Sequence, residues 1–529
     1  MNIYKKLLLL LPIIVLSSSG CKSINTSSGS SNETENDSGS TVTPSQDANA
    51  NKKSKNYYQL LVYSFADSNG DGIGDFKGIV DKLDYLVDLG VEGLWLSPVN
   101  KCTSYHGYDV TDYYGINPSY EYGSYNYEYL LSECHKRNIS VIMDLVINHV
   151  SVNHSWNSGS WKSTHPGWFS GQNAFYGTVM VDLNFDNTEV QQEMINVGKH
   201  WLNKGVDGFR LDAAMWLFNN EGNNASQVDH TKNYTYWNRW CNEMRATNPD
   251  CYIIGEVLNS DHDLSYQYAH AGFNSTFDFN VRRNVYAAVN GSTDYVDKTL
   301  TDMNKALTIN QSFILGRALS NHDIGRFTQQ HNGMADEPAY YFTDFARIRL
   351  ANALNIMMRG NTFIYYGDEL GLQGHIQRYN ESSDSYQDLN YRTPMPWASS
   401  NGLTVSTSYI TSEVNSYSNR QTLSNTTLSG HTAEQDKTDP NSLYACVKAL
   451  LNIKKDSDAI KNGTLAKITG LPTGLQGYTL SNGTKTISFI YNPTNSNVNY
   501  QISQDVLYAT DSYTNYVSIS SKGFIVTSN

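Results

Sequence analysis

The chain has 529 residues, 39% of them hydrophobic and 17% charged, with a net charge of −13 and a pI near 5.4. This is the composition of a folded globular protein and excludes a disordered one. The acidic balance lacks the basic face that nucleic acid requires, so no nucleic-acid partner is expected.

The chain opens on a targeting segment, residues 1–21. Lys5 and Lys6 precede an apolar run at 7–16 that is too short to span a bilayer. Small residues then lead into Cys21. They resemble the lipobox of bacterial lipoproteins, although Ser18 stands where that motif has Leu. The resemblance implies a lipid anchor on Cys21 and a place on the extracellular face of a bacterial cell; plain secretion is the alternative. Residues 22–56 are rich in Ser, Asn, Thr, Gly and Asp without apolar period, and read as a flexible polar tether.

From Tyr57 onward, short apolar runs alternate with amphipathic stretches. Runs at 58–65, 93–99, 141–147, 208–212, 252–257, 313–320 and 363–366 read as buried strands, with a weaker one at 276–279. Helical patterns lie at 80–89, 127–136, 190–203 and 345–358. This alternation predicts an α/β protein, a parallel (β/α)8 barrel whose functional residues sit at the C-terminal ends of the strands. After a helical stretch at 443–455 the chain becomes Thr/Val/Tyr-rich with alternation, as at 486–491, and predicts a small antiparallel β domain. Of the six cysteines (21, 102, 134, 241, 251 and 446) none has zinc spacing, and buried free thiols are expected.

Three strand-like segments end in an acid: Gly208-Phe209-Arg210-Leu211-Asp212, Ile253-Ile254-Gly255-Glu256 and Leu319-Ser320-Asn321-His322-Asp323. Glycoside hydrolysis with retention needs two carboxyls about 5–5.5 Å apart, with their pKa values pushed apart. Arg210 shares a strand face with Asp212 and is expected to keep it charged. Glu256 has no cation beside it in sequence, as suits an acid. A fourth segment, 144–149, ends in Asn148 and His149. The chain also holds 38 Tyr and 9 Trp, whose rings suit sugar faces as well as ordinary cores.

These four segments, DLVINHV, GFRLDAAMW, GEV and SNHDIGR, resemble in order the four signature regions of glycoside hydrolase family 13, the α-amylase family. The resemblance spans roughly residues 57–529. It implies a (β/α)8 TIM barrel at 57–147 and 190–458, a small domain inserted after strand 3 at 148–189, and a C-terminal antiparallel β-sandwich at 459–529. It implies Asp212 as nucleophile, Glu256 as general acid/base and Asp323 as transition-state stabiliser. His149, Arg210 and His322 match residues lining the sugar subsite at the cleavage point. The loop Ser104-Tyr105-His106-Gly107-Tyr108-Asp109 resembles the family's HGYD loop, with Tyr108 stacking on the sugar and His106 binding a hydroxyl.

Asp67, Asn69, Asp71 and Asp75 stand at positions 1, 3, 5 and 9 of a loop with Gly72 at position 6, as in a calcium loop. The position-12 Glu is replaced by Gly78. The loop resembles one found after the first barrel strand in several family 13 subgroups, and implies a structural Ca2+ on those four side chains and the Ile73 carbonyl. Many α-amylases hold a second calcium with the Asn at 148 and a His four residues after the nucleophile; here Trp216 stands in place of that His, and the sequence leaves the second site open.

The short insert, with Trp156, Trp161, Trp168 and Phe169 as sugar platforms or as its own core, favours an open cleft and internal cleavage. Val181-Asp182-Leu183-Asn184 resembles instead the form found in oligo-1,6-glucosidases and neopullulanase-like members. The reading is a retaining endo-acting α-amylase on starch and maltooligosaccharides. The alternatives are an exo-acting α-glucosidase or oligo-1,6-glucosidase, and a non-catalytic starch-capturing surface lipoprotein.

Overall fold

The computed structural model describes residues 54–171, 179–219, 224–330, 340–342, 344–373, 392–398 and 432–529. The expected leader, Cys21 and the expected tether up to residue 53 lie outside them. The remaining five cysteines are free thiols, four buried and Cys102 half-buried.

Eight parallel strands form the centre: β1 (Asn56–Leu60), β2 (Gly93–Leu96), β3 (Ser140–Val146), β4 (Gly208–Asp212), β5 (Tyr252–Gly255), β6 (Ser275–Thr276), β7 (Gly316–Ala318) and β8 (Asn361–Tyr365). They are hydrogen-bonded in the order β6-β5-β4-β3-β2-β1-β8-β7. A parallel bridge from Phe277 to Gly316 joins the two ends and closes the barrel.

Alternation along each strand sorts the interior by height. Tyr57, Trp95, Ile142, Tyr252, Ile254 and Phe363 pack together inside the barrel. Tyr58, Leu94, Val141, Phe209 and Ile253 face the helical layer. Gly93 is needed at the crowded end: a Cβ there would lie 2.5 Å from the Tyr57 ring. Towards the C-terminal ends the inward positions turn polar, with Gln59, Asp144, Arg210 and Asp212, all buried.

The differences from expectation have local causes. The run at 58–65 is a strand only to Leu60; Val62–Phe65 is one helical turn. Leu61, Val62 and Phe65 are buried either way, so hydrophobicity could not separate the two. The helix expected at 80–89 is two, Phe76–Asp81 and Leu83–Leu89, broken at Lys82, whose ammonium lies 4.6 Å above the Trp397 ring. The strand expected at 313–320 shrinks to Gly316–Ala318. Order begins before Tyr57: Ser54 is buried and donates to the Lys461 carbonyl at 2.8 Å.

The insert after β3 is a short antiparallel hairpin, His149–Ser151 with Met180–Asp182, carrying two helical turns. Trp156 and Trp168 are its core, whereas Trp161 is exposed. The C-terminal domain is a five-stranded antiparallel sheet (464–467, 476–481, 486–491, 524–528 and 505–509 in spatial order) facing a two-stranded ribbon. Leu475, Ile490, Val517, Ile519 and Ile525 pack between them. No helix among the described residues is long and apolar enough to cross a membrane.

Candidate active site

The site grows from β3, β4 and β5. Asp144 and Arg210 are ladder partners on β3 and β4, so they face each other across one strand spacing. Arg210 Nη1 reaches Asp144 Oδ1 at 2.9 Å and Asp212 Oδ1 at 2.6 Å. Its Nη2 lies 3.1 Å from Glu256 Oε2, across β5. One buried guanidinium therefore holds three carboxylates.

The turn after β4 brings in a further donor. Ala213 has φ 51, a left-handed conformation that an L-residue adopts only under constraint. In it, the Ala213 N–H points at Glu256 Oε2, 3.0 Å away.

Asp323 arrives from the loop after β7. His322 Nε2 is 2.7 Å from Asp323 Oδ2 and 2.6 Å from the Tyr108 hydroxyl. The Gln59 amide nitrogen faces His322 Nδ1 at 2.8 Å, which makes Nδ1 an acceptor and puts the proton on Nε2 of a neutral ring. Tyr108 lies parallel to the His322 ring, with centroids 5.1 Å apart, and donates to Asp144 Oδ2 at 2.9 Å.

Tyr108, Arg210 and His322 thus meet the three acids. His149 begins the insert hairpin, and a hydrogen bond with the Tyr108 backbone ties it to that loop. His106 Nδ1 accepts from the Tyr108 N–H and contacts Ser104 Oγ at 3.1 Å. Three further residues were not singled out from sequence. Asp144 is an acid inside an apolar strand, and that oddity was its signal. Gln59 had none. Arg392 had none either: its Nη2 reaches Asp323 Oδ1 at 3.1 Å from 69 positions away.

The chain matches the family described as "Alpha amylase, catalytic domain" over residues 59–176 and 168–463. The chain belongs to the α-amylase family. Among curated proteins it is 31% identical over 481 residues to "Alpha-amylase 3" of Dictyoglomus thermophilum, covering 85% of this chain and 88% of that one. It is 28% identical over 538 residues to an "Oligo-1,6-glucosidase" of Parageobacillus thermoglucosidasius, covering 86% and 92%. Among solved structures, the α-amylase from H. orenii superposes with a TM-score of 0.70 at 27% identity, covering 90% of this chain and 99% of that one.

As a family 13 glycoside hydrolase acting on α-glucans, the enzyme must divide protons among its acids. Burial pushes Asp144 up to about 7 against the pull of Arg210. Burial likewise raises Glu256, opposed by Arg210 and reinforced by Asp212 and Asp323. Glu256 is raised as expected of the acid, although Arg210, brought across the barrel, lies beside it in space. The structure corrects one expectation here. Arg210 in turn is divided among three acids, so burial still raises Asp212. Asp323 goes the other way. Desolvation raises it, but His322, through its electrostatic pull and its hydrogen bond, and then the charges of Arg392 and Arg210 outweigh that and hold it well below the usual carboxylate range.

In this family 13 enzyme the loop at 67–75 follows β1. Asp67 accepts from the N–H groups of Asn69, Gly70 and Gly72, Asn69 from that of Asp71, and Asp71 from that of Ile73. These bonds curl the loop around its own oxygens, with Gly70 and Gly72 at φ 85 and 92. Asp75 is buried and caps the helix at Phe76–Asp81 through Gly78 N–H, while also holding Ser68. The donors are all oxygen, as a hard cation requires. Among the described residues no three acid, His or Cys side chains converge as a metal cluster.

Proposed function

We propose that the chain is a retaining α-amylase that cleaves α-1,4-glucosidic bonds of starch and maltooligosaccharides internally. The observation that carries the retaining chemistry is the sharing of Arg210 by Asp212 and Glu256, with Asp323 held apart on other partners; the short insert supports internal cleavage. Two carboxyls on one guanidinium fit the close pair of a retaining enzyme.

Each residue then has a task. Glu256, raised by burial and with the longest of the three contacts with Arg210, 3.1 Å, is the acid that carries a proton. It gives that proton to the glycosidic oxygen as the bond to the anomeric carbon breaks. Asp212, fixed through Oδ1 by Arg210, attacks that carbon with Oδ2 and forms the glycosyl-enzyme ester. Glu256, now ionised, takes a proton from water, which attacks the same carbon and releases Asp212. Asp323 lies opposite the positive charge that develops in both steps. Tyr108 stacks on the ring, and His106, His149 and His322 receive its hydroxyls.

A product time course on soluble starch, with maltotriose and isomaltose in parallel, tests the reading. A rapid fall in viscosity with mixed maltooligosaccharides of α configuration is expected. The motif at 181–184 and the oligo-1,6-glucosidase relative favour the second reading, an exo or 1,6-acting glucosidase. Glucose released alone, or cleavage of isomaltose, would establish it instead.

The lipobox-like segment supports an anchor on Cys21 at the extracellular face, where polymeric substrate is met. The loop at 67–75 supports one structural Ca2+ on Asp67, Asn69, Asp71, Asp75 and the Ile73 carbonyl. It takes no part in the chemical steps. A ligand bound only by the folded state stabilises by about 2.7 kcal/mol at a hundred times its Kd. Melting is therefore expected several degrees lower in chelator than in calcium, and Asp71→Ala should abolish that difference. A melting temperature indifferent to calcium in the unaltered protein would remove the site.

A further inference from the structure

Arg392 comes to the site from no strand of the barrel and from none of the signature segments. It lies in a stretch, 392–397, laid across the C-terminal end. Ser64 Oγ, after β1, donates to the Arg392 carbonyl at 2.7 Å. The Tyr366 hydroxyl, after β8, donates to the Thr393 carbonyl at 2.7 Å. Met395 N–H donates to the Ser64 carbonyl at 3.0 Å, and Trp397 Nε1 to the Phe65 carbonyl at 2.6 Å. The stretch is a strap fastened to the segments that follow the first and last barrel strands.

All three guanidinium nitrogens of Arg392 are engaged. Nη2 meets Asp323 Oδ1 at 3.1 Å, Nε donates to the His322 carbonyl at 2.9 Å, and Nη1 to the Tyr105 hydroxyl at 3.1 Å. The side chain is 5% exposed, whereas that of Asp323 is 38% exposed and open to the cleft. A planar fork grips both a carboxylate and the backbone next to it, which a point charge cannot do.

The charge inventory shows why this matters. Arg210 already serves Asp144, Asp212 and Glu256 at 2.6–3.1 Å. Asp323 faces His322 on its own loop, Tyr108 from the loop after β2, Arg210 and Asp212 from β4, Glu256 after β5, and Arg392 from the strap. His322 is neutral in the geometry above. Without Arg392, Asp323 would stand among like charges with the His322 hydrogen bond and a share of Arg210 left to balance it.

We propose that Arg392 is the positioning residue for Asp323, supplying the fixed charge and the fork that aim this carboxylate at the cleft, and that the strap at 392–397 is part of the catalytic apparatus. The inference rests on the reading of Asp323 as a working acid. It is consistent with the lowered pKa of that group. The strap is then not a mere cover: loosening it changes the chemical step before it changes affinity.

Arg392→Ala, Arg392→Gln and Arg392→Lys test this, with kcat and KM for a maltooligosaccharide measured across pH and melting curves run alongside. Arg392→Ala is expected to lower kcat by about 10²-fold, the usual cost of a catalytic group misplaced by 1 Å, with KM changed far less. With its fork gone Asp323 loses its aim at the developing charge, so the loss should fall on kcat and leave KM and the melting temperature nearly unchanged. Arg392→Lys should restore the charge but not the fork and so recover only part of kcat, and added guanidinium should partly rescue Arg392→Ala. If Arg392→Ala is too unstable to assay, the Gln and Lys variants carry the same comparison. An unaltered kcat in a folded, charge-neutral variant overturns the proposal. Asp323→Asn separates the two ideas: if it keeps wild-type turnover, the reading of Asp323 itself fails. If it is inactive while Arg392→Ala and Arg392→Gln are normal, only the role of Arg392 fails.

Discussion

Asp212→Asn is expected to abolish turnover of α-glucans, by about 10⁴- to 10⁶-fold in kcat, while leaving the protein folded and able to bind glucan. Removal of a covalent nucleophile from a hydrolase costs on this order, because what remains is binding and electrostatic stabilisation. The substitution is nearly isosteric. Asn can still accept from Arg210 Nη1, which lies 2.6 Å from Oδ1 in the native site. Stability should not fall. Three buried carboxylates share one guanidinium, so the loss of one negative charge relieves repulsion between Asp212 and its neighbours Asp144 and Glu256. The informative pattern is therefore an inactive enzyme with an equal or higher melting temperature and intact binding to starch. Retained turnover would remove Asp212 from the role of nucleophile. If the unaltered protein binds starch but turns none over, the chain is a capture protein, and its acids are structural.

The barrel was legible because its strands are short apolar runs at regular distance, a pattern imposed by burial on both faces. The acids were legible because each ends such a run, at the place where a parallel barrel presents side chains to the cleft. What could not be read were the contacts made at long range. That Arg210 would be divided among Asp144, Asp212 and Glu256 depends on the ladder register of β3, β4 and β5. Adjacency in sequence suggested a private partnership with Asp212 and none with Glu256. Arg392 lay further from any signal, since only the strap places it on Asp323. Asp75 shows the converse. It was read as one of the metal ligands, and in the fold its carboxylate also caps a helix and holds Ser68, two tasks that the spacing of a calcium loop does not announce.

The other large effect should come from Arg210→Met. Arg210 is 1% exposed and pairs with Asp144, itself fully buried, with Asp212 and with Glu256. Met fills a similar volume but leaves the three carboxyls without their common cation. Removing one partner of a buried ion pair typically costs about 3–5 kcal/mol, because the other charge is left uncompensated. The loss should depend on pH. Burial raises all three acids in the folded state, Asp144 to about 7, and without Arg210 they must rise further. A carboxyl whose folded pKa is raised is at its most stable when protonated. Its contribution is whole below the unfolded value near 4 and is lost as pH climbs through the folded one. Arg210→Met should therefore approach native stability near pH 5 and fall away steeply by pH 8. Its kcat should drop by about 10³-fold or more throughout, since both members of the reacting pair lose their support. Urea unfolding at the two pH values decides the matter. An equal loss at both would mean that Arg210 acts through packing alone, and that the three acids settle their protons without it.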